Sequence, residues 1–121
     1  MTIIIAGDVP SKKNSKQIIY VRGRPLIISS KNYQNWHKTA QNQLYGVKPL
    51  PGLSSINLTF FSSTRRKFDL TNKAESVMDL LVDCGIIPDD NWSVVPKVVL
   101  EYGGVDKDNP RVEVSVTSLA S

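Results

Sequence analysis

This 121-residue sequence is short of cysteine, histidine, long apolar runs and, over its first half, acid. Its one cysteine, Cys84, cannot close an internal disulfide, so nothing in it suggests a disulfide-stapled secreted scaffold. Cys84 and the one histidine, His37, are too few to build a zinc cage of His and Cys ligands within a chain. No apolar stretch approaches the roughly 18 to 20 residues needed to cross a bilayer. The opening MTIIIAGDVP has neither a cationic n-region nor a long apolar h-region. No signal peptide is expected, and a cytoplasmic location is the default. The shortage of acid is the most informative. The sixty residues from Val9 to Phe68 contain no Asp or Glu and eleven Lys or Arg.

The net charge of +4 therefore averages two unlike halves. Val9 to Phe68 carries +11, whereas Asp69 to Ser121 carries −6. Soluble surfaces usually mix both signs, so an acid-free basic stretch of this length points to a polyanion partner, most commonly nucleic acid. The acids return abruptly after Arg65, Arg66 and Lys67. Six of the eleven lie between Lys67 and Asp90: Asp69, Glu75, Asp79, Asp83, Asp89 and Asp90.

At 40% hydrophobic and 21% charged residues, the composition is that of a globular chain with one hydrophobic core and one domain over residues 1–121. Thr2 to Ala6 reads as a strand. Gln17 to Ser29 reads as two short strands turning at Arg22-Gly23-Arg24. A helix capped by Ser29 or Ser30 follows, with Tyr33, Trp36, His37, Ala40 and Leu44 on its apolar stripe and its end near Gly46. His37 is expected to pack there. Ile56, Leu58 and Phe60 alternate with polar or outward positions in a further strand. A second helix is expected from about Lys73 to Cys84, with Asn72 as N-cap and Glu75 completing a capping box. Ala74, Val77, Met78, Leu81 and Cys84 form its buried stripe. Strands are expected over Val94 to Tyr102 and around Val112, Val114 and Val116. Helices and strands interleave without a regular βαβ repeat, which indicates an α+β fold with a mixed sheet and two main helices.

Glu75, Asp79 and Asp83 recur every four residues on the second helix, a spacing at which like charges repel by a few tenths of a kcal/mol per pair. Asp69 ends the preceding strand segment, and Asp89 and Asp90 lie in the turn after the helix. If the strand end, the helix and the turn meet, these carboxylates converge. Converging oxygen ligands favour a hard ion such as Mg²⁺, which can activate water and neutralise a scissile phosphate. The basic half would then hold DNA, with Lys12, Lys13, Lys16, Arg65 and Arg66 as candidate phosphate contacts. Trp92 follows the acidic turn, and packing is its expected role, with stacking on DNA the alternative.

The order of Pro10-Ser11-Lys12-Lys13-Asn14, Tyr33-Gln34-Asn35-Trp36, Asp69-Leu70-Thr71-Asn72, Asp79-Leu80-Leu81 and Gly85-Ile86-Ile87-Pro88-Asp89-Asp90 resembles the RusA-type Holliday junction resolvases. The resemblance runs along nearly the whole chain, and its specific part is Asp69 to Asp90. It implies a small homodimeric α+β endonuclease, often phage- or prophage-encoded, that cuts four-way DNA junctions in recombination and repair using Mg²⁺ or Mn²⁺. It implies a cytoplasmic protein of a bacterial or phage-infected cell. On that pattern Asp69 matches the first catalytic aspartate, Asn72 the asparagine, Asp79 the helix aspartate and Asp89-Asp90 the terminal pair, with Asp90 the metal-binding member.

Two positions depart from the pattern. Thr71 stands where the family has a second catalytic aspartate, and Glu75 stands where it has a catalytic lysine. The expected metal ligands are thus Asp69, Glu75, Asp79, Asp89 and Asp90, with Glu75 replacing the displaced carboxylate. Lys73 or Arg66 would supply the missing positive charge. Two other functions stay open on the sequence: a non-catalytic DNA-binding accessory module, and a metal nuclease acting on flaps or single strands.

Overall fold

Alternation decides the central strand. In β4 (Ser54–Ser62) every second residue from Ser54 to Ser62 is buried, so Ile56, Leu58 and Phe60 all point to one face. The computed structural model describes residues 1–11, 16–50 and 52–119. Its other elements are β1 (Thr2–Ala6), β2 (Lys16–Val21), β3 (Arg24–Ser29), α1 (Lys31–Gln43), α2 (Leu70–Asp83), β5 (Lys97–Val105) and β6 (Arg111–Ser118). Four strands form one mixed sheet in the order β1-β6-β4-β5, and β2 and β3 form a separate two-stranded sheet. This is the α+β arrangement expected. No helix among the described residues is long and apolar enough to cross a membrane.

β6 runs antiparallel to both β1 and β4, whereas β5 runs parallel to β4. The parallel pair needs a crossover, and α2 supplies it. Ile3 and Ile5 stand opposite Val114 and Val112, which in turn stand opposite Leu58 and Phe60. The core forms between that face and the two helices, through Trp36 and Ala40 of α1 and Ala74, Val77, Met78, Leu80 and Leu81 of α2. His37 does sit beside this packing, and its Nε2 lies 2.9 Å from Asp83 Oδ2, tying α1 to the end of α2. Cys84 is half-buried, and burial, with the Asp83 charge added, pushes its thiol pKa up.

Helix α2 begins three residues earlier than the apolar stripe suggested. Its N-cap is Asp69, with extended backbone, so Asn72 is inside the first turn and the capping box of Asn72 with Glu75 does not form. Trp92 also departs from expectation: it is 81% exposed and packs into no core. Arg22 and Gly23, both with positive φ, make the tight turn between β2 and β3.

One glycine is required by space. The β4–β5 register shifts between Phe60, opposite Tyr102, and Phe61, opposite Gly104, which leaves Gly103 as the extra residue of a bulge. A Cβ at Gly103 would lie 2.5 Å from Phe61 Cζ. The ring has little room to retreat, because the Arg111 guanidinium covers it at 3.9 Å and is itself bonded to Asp106 at 2.8 Å and Glu113 at 3.3 Å. Gly103→Ala is therefore expected to destabilise the fold by about 1–3 kcal/mol through overpacking. Urea denaturation would read this as a lower midpoint at an unchanged slope.

Candidate active site

β1, β4 and β5 all point the same way, so their carboxyl ends share one edge of the molecule. The N-terminus of α2 comes back to that edge, because α2 starts only eight residues after β4 ends. Open sheets commonly place ligands outside the carboxyl ends of their strands. Here a cleft of about 1160 Å³ opens there, lined by Asp8, Ser11, Asn32, the run from Ser62 to Leu70, Asn72, Lys73 and Tyr102, with Val9.

The loop after β4 is pinned from both sides. Tyr102 Oη and Ser62 Oγ are 2.8 Å apart, and Ser62 Oγ donates to the Thr64 carbonyl at 2.8 Å. The tyrosine hydroxyl must then be the donor in the first bond, since the serine proton is already used. From the other side, Asp8 at the end of β1 accepts from the Ser63 N–H at 3.0 Å and from the Ser63 hydroxyl. Phe68 packs edge-on against Tyr102 with centroids 5.7 Å apart. Its face carries Lys73 Nζ at 3.8 Å. Burial lowers the Lys73 pKa, Asp8 opposes that shift and Arg66 adds to it. The result is a cleft wall that presents Arg65, Arg66 and Lys67, all exposed, next to the half-buried ammonium of Lys73.

Asp69 lines the same cleft. An N-cap aspartate usually accepts from an N–H of its own helix. Asp69 makes no such bond, and its Oδ2 accepts instead from Asn72 Nδ2 at 3.2 Å. The carboxylate thus stands at the positive end of α2 while the first-turn N–H groups keep their capacity for a bound anion.

The other predicted acids lie elsewhere. Glu75 is exposed on α2 and is not among the residues lining the cleft. Asp79 is half-buried further along α2, also outside that lining. Asp89 and Asp90 follow the far end of α2, a helix of 14 residues and so about 21 Å long. Their turn belongs to the amino end of β4: Ser54 N–H donates to the Val94 carbonyl at 3.1 Å, and Leu50 N–H to that of Ile86 at 2.8 Å. Asp89 is engaged in its own turn, accepting from Asp90 N–H at 2.7 Å and Asn91 Nδ2 at 3.0 Å, and the first of these holds its pKa below the usual range. The convergence of Asp69 with Asp89 and Asp90 expected from the sequence does not occur within one chain. The reason is the crossover: a helix that joins two parallel strands enters from the end of one strand and leaves at the start of the next. Among the described residues, no three His, Cys, Asp or Glu side chains gather into a metal-binding group.

Of the candidate phosphate contacts, Arg65 and Arg66 line the cleft, and Lys16 begins β2 outside it. Lys12 and Lys13 lie outside the described residues. The sequence reading missed Asp8, Ser62, Ser63 and Tyr102. Asp8 carried a usable signal, since it is the one acid in the first 68 residues. The two serines and the tyrosine carried none, because their role depends on bonds between distant strands.

A family model described as "Endodeoxyribonuclease RusA" matches residues 9–117. The chain belongs to the RusA family of endodeoxyribonucleases. The match spans the cationic loop, Asp69, α2 and the Asp89-Asp90 turn together. No curated protein matches the chain. Arg65→Ala with Arg66→Ala is expected to weaken DNA binding similarly for all sequences. It should also flatten the plot of log affinity against log salt by about 0.9 for each phosphate no longer neutralised. Binding titrations at four salt concentrations check this, and an unchanged slope would show that neither arginine meets a phosphate.

Proposed function

We propose that this protein is a structure-selective endonuclease that resolves four-way DNA junctions, acts as a homodimer and depends on Mg²⁺ or Mn²⁺. The observation that carries the reading is the cleft, in which Asp69 stands at the N-terminus of α2 beside a loop of three cations, in a chain of the RusA family. The cations neutralise the phosphates that flank the reacting one, and the hydrogen bonds of Asp8, Ser62 and Tyr102 keep their loop in place. A loop held in advance loses little entropy when DNA arrives.

The described residues of one chain do not fit a divalent ion. Asp8 and Asp69 are the two carboxylates lining the cleft, and both oxygens of Asp8 are already used by Ser63. Asp89 and Asp90 lie a helix length away. A homodimer removes this difficulty. In a C₂ pair with the two α2 helices antiparallel, Asp69 of one copy comes near the distal carboxylates of the other, and the operation is reciprocal. Such a pair would carry two equivalent sites, as two symmetric cuts require. When bound, the ion would supply charge neutralisation and an activated water. Glu75, exposed on α2 and absent from the cleft lining, has no part in this proposal.

The test is incubation with four-way junction, flap and linear duplex DNA, with and without Mg²⁺. The expected result is paired nicks on opposing strands of the junction, with Mg²⁺ only. Junction binding without any cleavage would favour the accessory module instead, and single cuts in flaps would favour the other nuclease. Asp69→Asn and Asp90→Asn should each lower cleavage by more than roughly 100-fold, beyond what loss of an outer-shell partner costs a metal site. Mixing the two inactive variants should restore nicking of one strand per junction, because a mixed dimer keeps one complete site. No restoration after subunit exchange would refute the shared arrangement.

A further inference from the structure

We infer that Tyr102 is a positioning residue for bound DNA: from β5 it clamps both ends of the loop that carries Arg65, Arg66 and Lys67. The inference rests on the DNA-cutting function proposed above and adds a residue to its cleft. The loop leaves β4 at Ser62 and enters α2 at Leu70. Tyr102 meets it twice. Its hydroxyl donates to Ser62 Oγ, 2.8 Å away, at the start of the loop. Its ring packs against Phe68 near the end, with centroids 5.7 Å apart and planes nearly perpendicular at 76°. The stretch between these points, Ser63 to Lys67, includes all three cations. The Asp8 hydrogen bonds, by contrast, hold the loop at Ser63, near its start.

The clamp is itself anchored. Tyr102 stands opposite Phe60 in the parallel β4–β5 pair and directly precedes the Gly103 bulge. Bulges bend a strand and re-aim the side chains beside them. Ser62, which accepts the tyrosine proton, is 6% exposed and so does not meet DNA itself. It passes the hold on to the Thr64 carbonyl at 2.8 Å, next to Arg65. At the other end, the Phe68 ring carries Lys73 Nζ 3.8 Å from its centroid. The orientation of that ring matters, since a cation is attracted to a ring's face and not to its edge. The hydroxyl and the ring of Tyr102 therefore act separately. The hydroxyl sets where the arginines stand, and the ring keeps the seat of Lys73. A loop held at both ends has fewer conformations to lose when phosphates bind.

The experiment is titration of a four-way junction without Mg²⁺, from about 50 to 200 mM salt, where phosphate contacts dominate. Wild type is compared with Tyr102→Phe, Tyr102→Leu, Ser62→Ala and the double variant Tyr102→Phe/Ser62→Ala. Tyr102 is 47% exposed, so its variants are expected to keep the fold, which circular dichroism and the melting temperature check. Tyr102→Phe keeps the ring. It should weaken binding about 3- to 10-fold, the worth of one neutral hydrogen bond, at an unchanged salt slope. The double variant should be no weaker than Ser62→Ala, because the tyrosine hydroxyl acts through that serine. Tyr102→Leu loses the ring as well and should flatten the slope by about 0.9, the one phosphate met by Lys73. Phe68→Leu, which removes the seat directly, should flatten it equally. Additive losses in the double variant would mean that Tyr102 touches DNA itself, and would overturn the inference. So would wild-type affinity in Tyr102→Phe, or a Tyr102→Leu with the slope of Tyr102→Phe. A wild type that binds no DNA overturns the inference together with the proposed function. A wild type that binds but does not cut when Mg²⁺ is added overturns the nuclease reading alone, and the expected binding losses would still support the clamp.

Discussion

The direction of α2 governs the layout of this molecule. A crossover between parallel strands must enter at the carboxyl end of one and leave at the amino end of the next. That fixes Asp69 at one edge of the sheet with Arg65, Arg66 and Lys67. It also fixes Asp89 and Asp90 at the other edge, where β4 begins. The apolar stripe of α2 holds the helix to the sheet through Val77, Leu80 and Leu81, all fully buried. The carboxylates on its remaining surface are carried along wherever that packing puts them. Within one copy, the acids at the two ends of α2 are therefore about a helix length apart.

The cleft itself is made by side chains that bridge strands. Asp8 reaches from β1 to the segment after β4, and Tyr102 reaches from β5 to β4. Together they turn an exposed seven-residue cationic connection into a wall of fixed shape. Ser76 contributes from below: its buried hydroxyl donates to the Pro10 carbonyl at 2.7 Å, holding the chain after Asp8 against α2.

Periodicity made most of the fold legible. β1 falls at Thr2–Ala6 as the apolar run indicated, and the hairpin turns at Arg22-Gly23 as the tip residues indicated. Ser30 caps α1, its hydroxyl accepting from Tyr33 N–H at 3.2 Å. The start of α2 was read too late because Leu70, Thr71 and Asn72 precede the apolar stripe. Only the backbone conformation identifies Asp69 as the cap. The site was legible in part: the cationic run and Asp69 do share a cleft. The separation of Asp69 from Asp89 and Asp90 within one chain was not legible, because clustering along a chain says nothing about which end of a helix each one occupies. Trp92 was misjudged in the same way, since an aromatic in a turn has no periodic neighbours to reveal its exposure.

The pairing of β1 with β6 has a consequence for synthesis. Among the described residues β1 is the first strand in chain order and β6 the last, and there β1 meets the main sheet along β6. Asp8, directly beyond β1, cannot hold Ser63 in place until β1 has found that partner. Such long-range pairing is slow to form compared with local structure. A ribosome-bound nascent chain therefore carries the arginines and Asp69 without the clasp that shapes their cleft. The cleft takes its final shape only once β6 has been made and β1 has paired with it.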